Sequence, residues 1–190
     1  MSGPARRAVF LDRDGVLNEP LRRDGRSVSP RRPEDFRVVP GVDAALRRLR
    51  VRGLLVFVVT NQPDVARGHL DPAHLAEMSA ILRRSVAVDE IAVCPHDDAD
   101  HCGCRKPKPG MVLALAHKWG VDLSGSFMIG DSWKDVEAGR RAGCRTILVE
   151  GHDRVNCLPD RTVSSLGEAV AIIETELDAA GDVEAHGIRS

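Results

Sequence analysis

Short runs of apolar, often β-branched residues alternate along the chain with stretches whose apolar positions recur at helical spacing. The runs fall at 8–11, 54–60, 91–94, 127–130 and 146–149, and the helical patterns at 42–52, 72–87, 109–119 and 133–142. Strand alternating with helix is the rhythm of a parallel sheet, because parallel neighbours need a crossover between them. The runs 54–59 and 147–149 are apolar on both faces, as strands covered by helices on each side must be. The pattern therefore predicts an α/β fold, a doubly wound sandwich around a mostly parallel sheet.

Two segments stand outside that rhythm. Residues 166–177 carry apolar residues at helical spacing, whereas 181–190 have little to bury and are expected to fray. The longest stretch without periodicity is 18–40, which contains Arg22, Arg23, Arg26, Arg31 and Arg32. A loop of that size in a small domain is more often functional than idle.

Composition narrows the picture further. The chain has 190 residues, 43% hydrophobic and 29% charged, which suits one domain over 1–180 with a core of its own. A net charge of -1 argues against a general nucleic-acid or membrane binder, since both need an excess of Lys and Arg. No apolar run has the length of a membrane span and no signal-peptide core precedes the first strand, so a monomeric cytoplasmic protein is expected.

Chemistry concentrates immediately after the strands, where doubly wound sheets hold their reactive groups. The first strand runs into Asp12-Arg13-Asp14-Gly15. Two carboxylates separated by one residue point the same way from an extended chain and can address one metal or substrate. Asp12 is placed as nucleophile and magnesium ligand. Asp14 is placed as the acid that protonates a leaving oxygen and then deprotonates water, with its backbone carbonyl a further magnesium ligand.

The second strand ends in Thr60-Asn61-Gln62, a hydroxyl and two amides beside a turn that can cradle phosphate oxygens. The fourth ends in Gly130-Asp131-Ser132, with Asp135 one helical turn on, and Asp131 is the expected third magnesium anchor. Between them lies Arg105-Lys106-Pro107-Lys108-Pro109, and Lys106 is chosen to neutralise the charge of a transferring phosphoryl group. Singly, each motif is an ordinary turn or helix cap. Four of them arriving in order at successive strand ends are not.

Midway along the chain, Cys94-Pro95-His96 and Cys102-Gly103-Cys104 form two pairs of soft ligands. Three thiolates and an imidazole suit a closed tetrahedral structural zinc site, with His101 a less regular competitor for His96. Four protein ligands leave no position for water, so zinc should staple the loop and fix Arg105 and Lys106, which follow directly. Asp97, Asp98 and Asp100 are expected to be solvated.

Asp12-x-Asp14-Gly15, Thr60, Lys106 and Asp131-x-x-x-Asp135 together resemble the four motifs of the haloacid dehalogenase (HAD) superfamily. That resemblance implies magnesium-dependent hydrolysis of a phosphate monoester through an aspartyl-phosphate on Asp12, with Thr60 and Lys106 on the phosphate and Asp135 in support. Neither the interval after Asp14 nor the one after Thr60 is long enough for a separate cap domain.

Within the superfamily, the zinc loop followed by Arg-Lys-Pro resembles two related phosphatase families, one acting on a heptose bisphosphate and one on histidinol phosphate. The short spacing from His96 to Cys102 favours the second. The segment 29–36 and Val65-Ala66-Arg67-Gly68 favour the first, although Ser132 stands where heptose enzymes commonly carry lysine. By likeness, Asn61, Gln62 and Arg105 contact a small sugar phosphate, and arginines of the 22–32 loop or Arg67 could meet a second phosphate. A polynucleotide 3′-phosphatase is a third reading, opposed by the neutral charge, the two tryptophans and the absence of tyrosine.

Overall fold

The computed structural model describes residues 5–23, 26–150 and 157–187. In chain order the elements are β1 (Ala8–Leu11), β2 (Leu21–Arg23), β3 (Arg26–Val28), α1 (Val42–Val51), β4 (Leu55–Asn61), α2 (Pro72–Ser85), β5 (Glu90–Cys94), α3 (Gly110–Trp119), β6 (Phe127–Gly130), α4 (Trp133–Ala142), β7 (Arg145–Val149), β8 (Arg161–Val163) and α5 (Leu166–Gly187). Short 3-10 turns at Pro33–Asp35 and Asp98–Asp100 punctuate the loops.

Six strands form one sheet in the order β5-β4-β1-β6-β7-β8, and every pairing in it is parallel. β1 is central: Val9 is in register with Val56 of β4 on one side and Phe127 of β6 on the other. Alternate residues feed two cores, as period-two geometry requires. Val9, Leu11, Val56 and Val58 face a layer made by α1, α2 and α5 through Leu46, Met78 and Ile173. Ala8, Phe10, Phe57 and Val59 face a layer containing α3 through Met111, Val112 and Leu115. The doubly wound parallel α/β fold is as the apolar pattern predicted.

Helix starts are anchored by local chemistry. Asp71 caps α2 by accepting from the Ala73 N–H at 2.8 Å, with Pro72 in the first turn. At α4, Ser132 and Asp135 form a capping box in which the Ser132 N–H and hydroxyl both donate to Asp135 Oδ2, at 3.1 and 2.8 Å.

Three strands and a longer helix lie beyond the sequence pattern. β2 and β3 make an antiparallel pair inside the segment read as aperiodic, with Leu21 opposite Val28, and β8 extends the sheet edge. α5 continues to Gly187, past residue 181 where fraying is expected, and 188–190 lie outside the described residues. No helix among the described residues is long and apolar enough to cross a membrane.

Candidate active site

β4, β1 and β6 are neighbours in the sheet, so the residues that follow their C-terminal ends share one cleft of about 260 Å³. Asp12, Asp14, Thr60, Arg105, Lys106 and Asp131 all line it. Motifs separated by more than a hundred residues in sequence are thus brought to one sheet edge, where the strand order reverses direction around β1.

Asp12 leaves β1 with its N–H bonded to the Ile129 carbonyl at 2.9 Å. Its Oδ1 accepts from the Arg13 N–H at 2.7 Å and pairs with Lys106 Nζ at 2.8 Å. Oδ2 has no protein partner among the described residues. Ligand atoms of Asp12, Asp131 and Asp135 lie within 4.8 Å of one another. Two glycines permit this crowding: a Cβ on Gly15, which sits at φ +85°, would come 2.0 Å from Asp131 Oδ2, and one on Gly130 would come 2.1 Å from Asp135 Cβ.

Lys106 is the cation paired with this acidic cluster among the described residues. Its Nζ donates to the Val59 carbonyl at 2.7 Å and forms ion pairs with Asp135 Oδ1 at 2.6 Å and Asp12 Oδ1 at 2.8 Å, so three oxygens surround the ammonium. Burial opposes its charge, but Asp12 and Asp135 more than offset that and hold its pKa above the usual lysine value.

One lysine does not balance the carboxylates. Burial, then the Asp135 charge, raise Asp12 to about 8 against the pull of Lys106. Asp131 is raised to about 7 by the same two causes. Hard carboxylate oxygens crowded together with negative charge in excess are a donor set that fits a magnesium ion.

Asp14 is treated oppositely. Burial pushes its pKa up, but the Arg13 guanidinium, with hydrogen bonds from Arg13, Gln62 and Asn18, brings it below the ordinary carboxylate range. Arg13 is fully buried, donates from Nε and Nη2 to Asp14 at 3.0–3.2 Å, and lies over the Phe36 ring at 5.5 Å. Ser29 Oγ donates to the same carboxylate at 3.0 Å. The roles of Arg13 and Ser29 have no signature in sequence, since an arginine between two aspartates reads as a solvated charge.

Thr60 is buried and its Oγ1 accepts from Gln62 Nε2 at 2.9 Å, which leaves the hydroxyl proton free to donate into the cleft. Gln62 departs from its expected place at the substrate. It is 1% exposed, and its amide donates to Asp14 at 2.8 Å as well as to Thr60, so it holds those two side chains instead. Asn61 lines the cleft, yet its amide is occupied by the Lys106 main chain, donating to the carbonyl at 3.0 Å and accepting from the N–H at 3.1 Å.

The cysteine loop gathers as its spacing suggests. The Sγ atoms of Cys94, Cys102 and Cys104 lie 3.1–3.6 Å apart, with His96 Nδ1 3.6 Å from Cys94 Sγ and 3.3 Å from Cys104 Sγ. All four ligand atoms fall within 4.8 Å, a cluster of the size a zinc ion can hold. His101 is outside the group and caps the 3-10 turn at φ 49°. Burial pushes the Cys94 thiol up to about 12. Desolvation also opposes the Cys102 thiolate, but the Arg105 N–H and the neighbouring thiols bring it down to about 7.

The aspartates of this loop lie at the surface as expected, and there they form ion pairs and a local hydrogen bond. Asp97 binds Arg67 at 2.7 and 2.8 Å, Asp98 binds Arg105 Nε at 2.7 Å, and Asp100 accepts from the Asp97 N–H at 2.7 Å. Arg67 and Arg31 also share Asp64, at 3.5 and 2.7 Å, so the candidate second-phosphate arginines are ion-paired. The side chains of Arg22, Arg23 and Arg26 lie outside the described residues.

Residues 103–169 match the HAD-hydrolase-like family model, the class that the strand-end carboxylates and the sheet order define. Over 164 residues the chain is 41% identical to a D-glycero-β-D-manno-heptose-1,7-bisphosphate 7-phosphatase of Rhodopseudomonas palustris, covering 80% of this chain and 88% of that one. The enzyme of that name from Pseudomonas aeruginosa is 42% identical over 151 residues, 77% and 82% of the two chains. A crystal structure of the D,D-heptose 1,7-bisphosphate phosphatase of B. bronchiseptica, with magnesium and phosphate, superposes with a TM-score of 0.76 at 33% identity, covering 90% of this chain and 99% of that one. The chain belongs to the family of HAD-like phosphatases that these heptose bisphosphate enzymes represent.

Proposed function

We propose that this protein is a magnesium-dependent phosphatase that removes the 7-phosphate of D-glycero-D-manno-heptose 1,7-bisphosphate. The observation that carries the chemistry is the Asp12, Asp131 and Asp135 cluster with Lys106 reaching two of its members. Family membership over most of the chain carries the substrate.

Asp12, Asp131 and the Asp14 backbone carbonyl would hold the magnesium ion, which supplies positive charge to the phosphate oxygens and to the crowded carboxylates. Asp12 attacks phosphorus through the oxygen that Lys106 and the Arg13 N–H leave unengaged, forming an aspartyl-phosphate while the P–O bond to the sugar breaks. Asp14 is placed to protonate the departing alkoxide and then to take a proton from the water that cleaves the acyl phosphate. Because Arg13 and its hydrogen-bond donors keep it ionised in the empty site, the negative charge of the bound phosphate must first raise its pKa so that it picks up the proton it donates. Thr60 donates its hydroxyl proton to a phosphoryl oxygen. Arg105 and Asn61 line the cleft where the sugar would lie.

Cys94, His96, Cys102 and Cys104 would hold a structural zinc ion. What supports this is the closeness of four soft ligands and what the loop then presents: Arg105 begins one residue after the last thiol, its Nη1 donates to the His96 carbonyl at 3.4 Å, and Lys108 Nζ reaches the Cys102 carbonyl at 2.6 Å. The protein is proposed to act as a cytoplasmic monomer, without nucleic acid or membrane.

The test is phosphate release from both anomers of heptose 1,7-bisphosphate, histidinol phosphate and a 3′-phosphorylated oligonucleotide, with magnesium and then with a chelator. Preferred turnover of a heptose bisphosphate, abolished by chelation, is expected. Preference for histidinol phosphate would overturn the substrate assignment and make the short His96–Cys102 spacing the better guide.

A further inference from the structure

Three cations among the described residues line the catalytic cleft: Arg105, Lys106 and Lys134. Lys106 is buried and held by Asp12, Asp135 and the Val59 carbonyl, and Arg105 is 8% exposed with its guanidinium on Asp98. Lys134 alone forms no hydrogen bond or ion pair among the described residues. Its Nζ lies 6.0 Å from the centroid of the Trp133 ring, an interaction of small worth at a wet surface.

Its placement is not that of a loose surface lysine. Lys134 sits in the first turn of α4, between Ser132 and Asp135, whose capping box fixes the backbone on either side. It also lies near Arg105: the Asp98 carboxylate, held below its ordinary range chiefly by Arg105, feels the Lys134 charge as well. Asp98 is 76% exposed, so it can swing into solvent when another anion arrives. Two cations then remain at one wall of the cleft, apart from the lysine committed to the reacting group.

We propose that Lys134 is a specificity-determining residue of this enzyme, binding, together with Arg105, a second anionic group on the substrate. This rests on the bisphosphate reading above and adds to it the side chain that selects for the non-reacting phosphate. Ser132 carries no charge, and Lys134 supplies one from two positions further along the same turn.

The experiment compares heptose 1,7-bisphosphate with p-nitrophenyl phosphate, which has one anionic group, in wild-type protein, Lys134→Ala and Lys134→Arg. Removing one charge-assisted hydrogen bond to the substrate predicts a rise of roughly 10- to 100-fold in KM for the bisphosphate, with kcat little changed. The fall in kcat/KM for p-nitrophenyl phosphate should be at least fivefold smaller, and Lys134→Arg should recover most of the discrimination. Equal falls on both substrates, or an unchanged KM for the bisphosphate, would overturn the role. If wild-type protein hydrolyses p-nitrophenyl phosphate but not the bisphosphate, the substrate assignment fails by itself. Lys134 is then judged by bisphosphate inhibition of p-nitrophenyl phosphate turnover: weaker inhibition of Lys134→Ala supports it, and equal inhibition sinks it.

Discussion

The acidic cluster and the cysteine cluster are both tight groups of ligand atoms, but they are assembled in opposite ways. Asp12 and Asp131 come from different strand ends and are placed by the whole sheet. Cys94 ends β5 in the core, and Cys102 and Cys104 come from the loop that follows it and pack against the same core. The first is a rigid frame that tolerates charge in order to use it, as the raised Asp12 and Asp131 show. The second is a local staple that would gain its order from a metal. Function is therefore expected to fail first at one cluster and structure first at the other.

The largest effect should come from Asp12→Asn. Removing the nucleophile and one charge from a crowded acidic group is expected to lower kcat by roughly 10⁴-fold or more. The metal-free melting temperature should hold or rise, since the charge removed was opposed by burial and by Asp135. Turnover close to wild type would refute the assignment of Asp12. Cys102→Ser should show the reverse balance, with zinc content by metal analysis and melting temperature both falling, and kcat/KM dropping on the order of 10-fold through a loosened Arg105. Unchanged zinc and stability would remove the staple from the comparison.

The smallest effect is a pH dependence of the acidic cluster. Asp12 and Asp131 have folded pKa values above those of an unfolded aspartate, so the folded protein without metal holds extra protons between about pH 4 and 8. Stability from these groups is therefore lost as pH rises toward 7 and 8. Magnesium must displace those protons, so its affinity should strengthen across the same interval. Thermal shifts with saturating magnesium should be larger at pH 8 than at pH 6, and the opposite order would show that the carboxylates are already ionised without the metal.

The sheet was legible because both-face apolar runs such as 54–59 admit few other readings, and the site because its residues follow those runs directly. β2, β3 and β8 were not, since three-residue strands rich in arginine or threonine carry no alternation long enough to register. Arg13 was invisible for another reason: its burial depends on Phe36 and Asp14 closing around it, which is tertiary information. Gln62 was placed at the substrate by likeness to the family, whereas here the chain turns it inward to Asp14 and Thr60. The ion pairs of Asp97 and Asp98 likewise depend on how the loop folds back on Arg67 and Arg105.

The oxygens crowded around Lys106 carry a consequence for timing. An ammonium already surrounded by three oxygens meets an incoming phosphate by exchanging one of them. Phosphorylation of Asp12 turns that carboxylate into a much poorer acceptor at the moment new phosphoryl oxygens appear beside it. The ammonium can then exchange one oxygen for another with little movement, while Val59 and Asp135 keep it in place. The grip on the phosphoryl group would thus be switched on by the first chemical step and switched off by the second, a clock set by bond order and needing no moving lid.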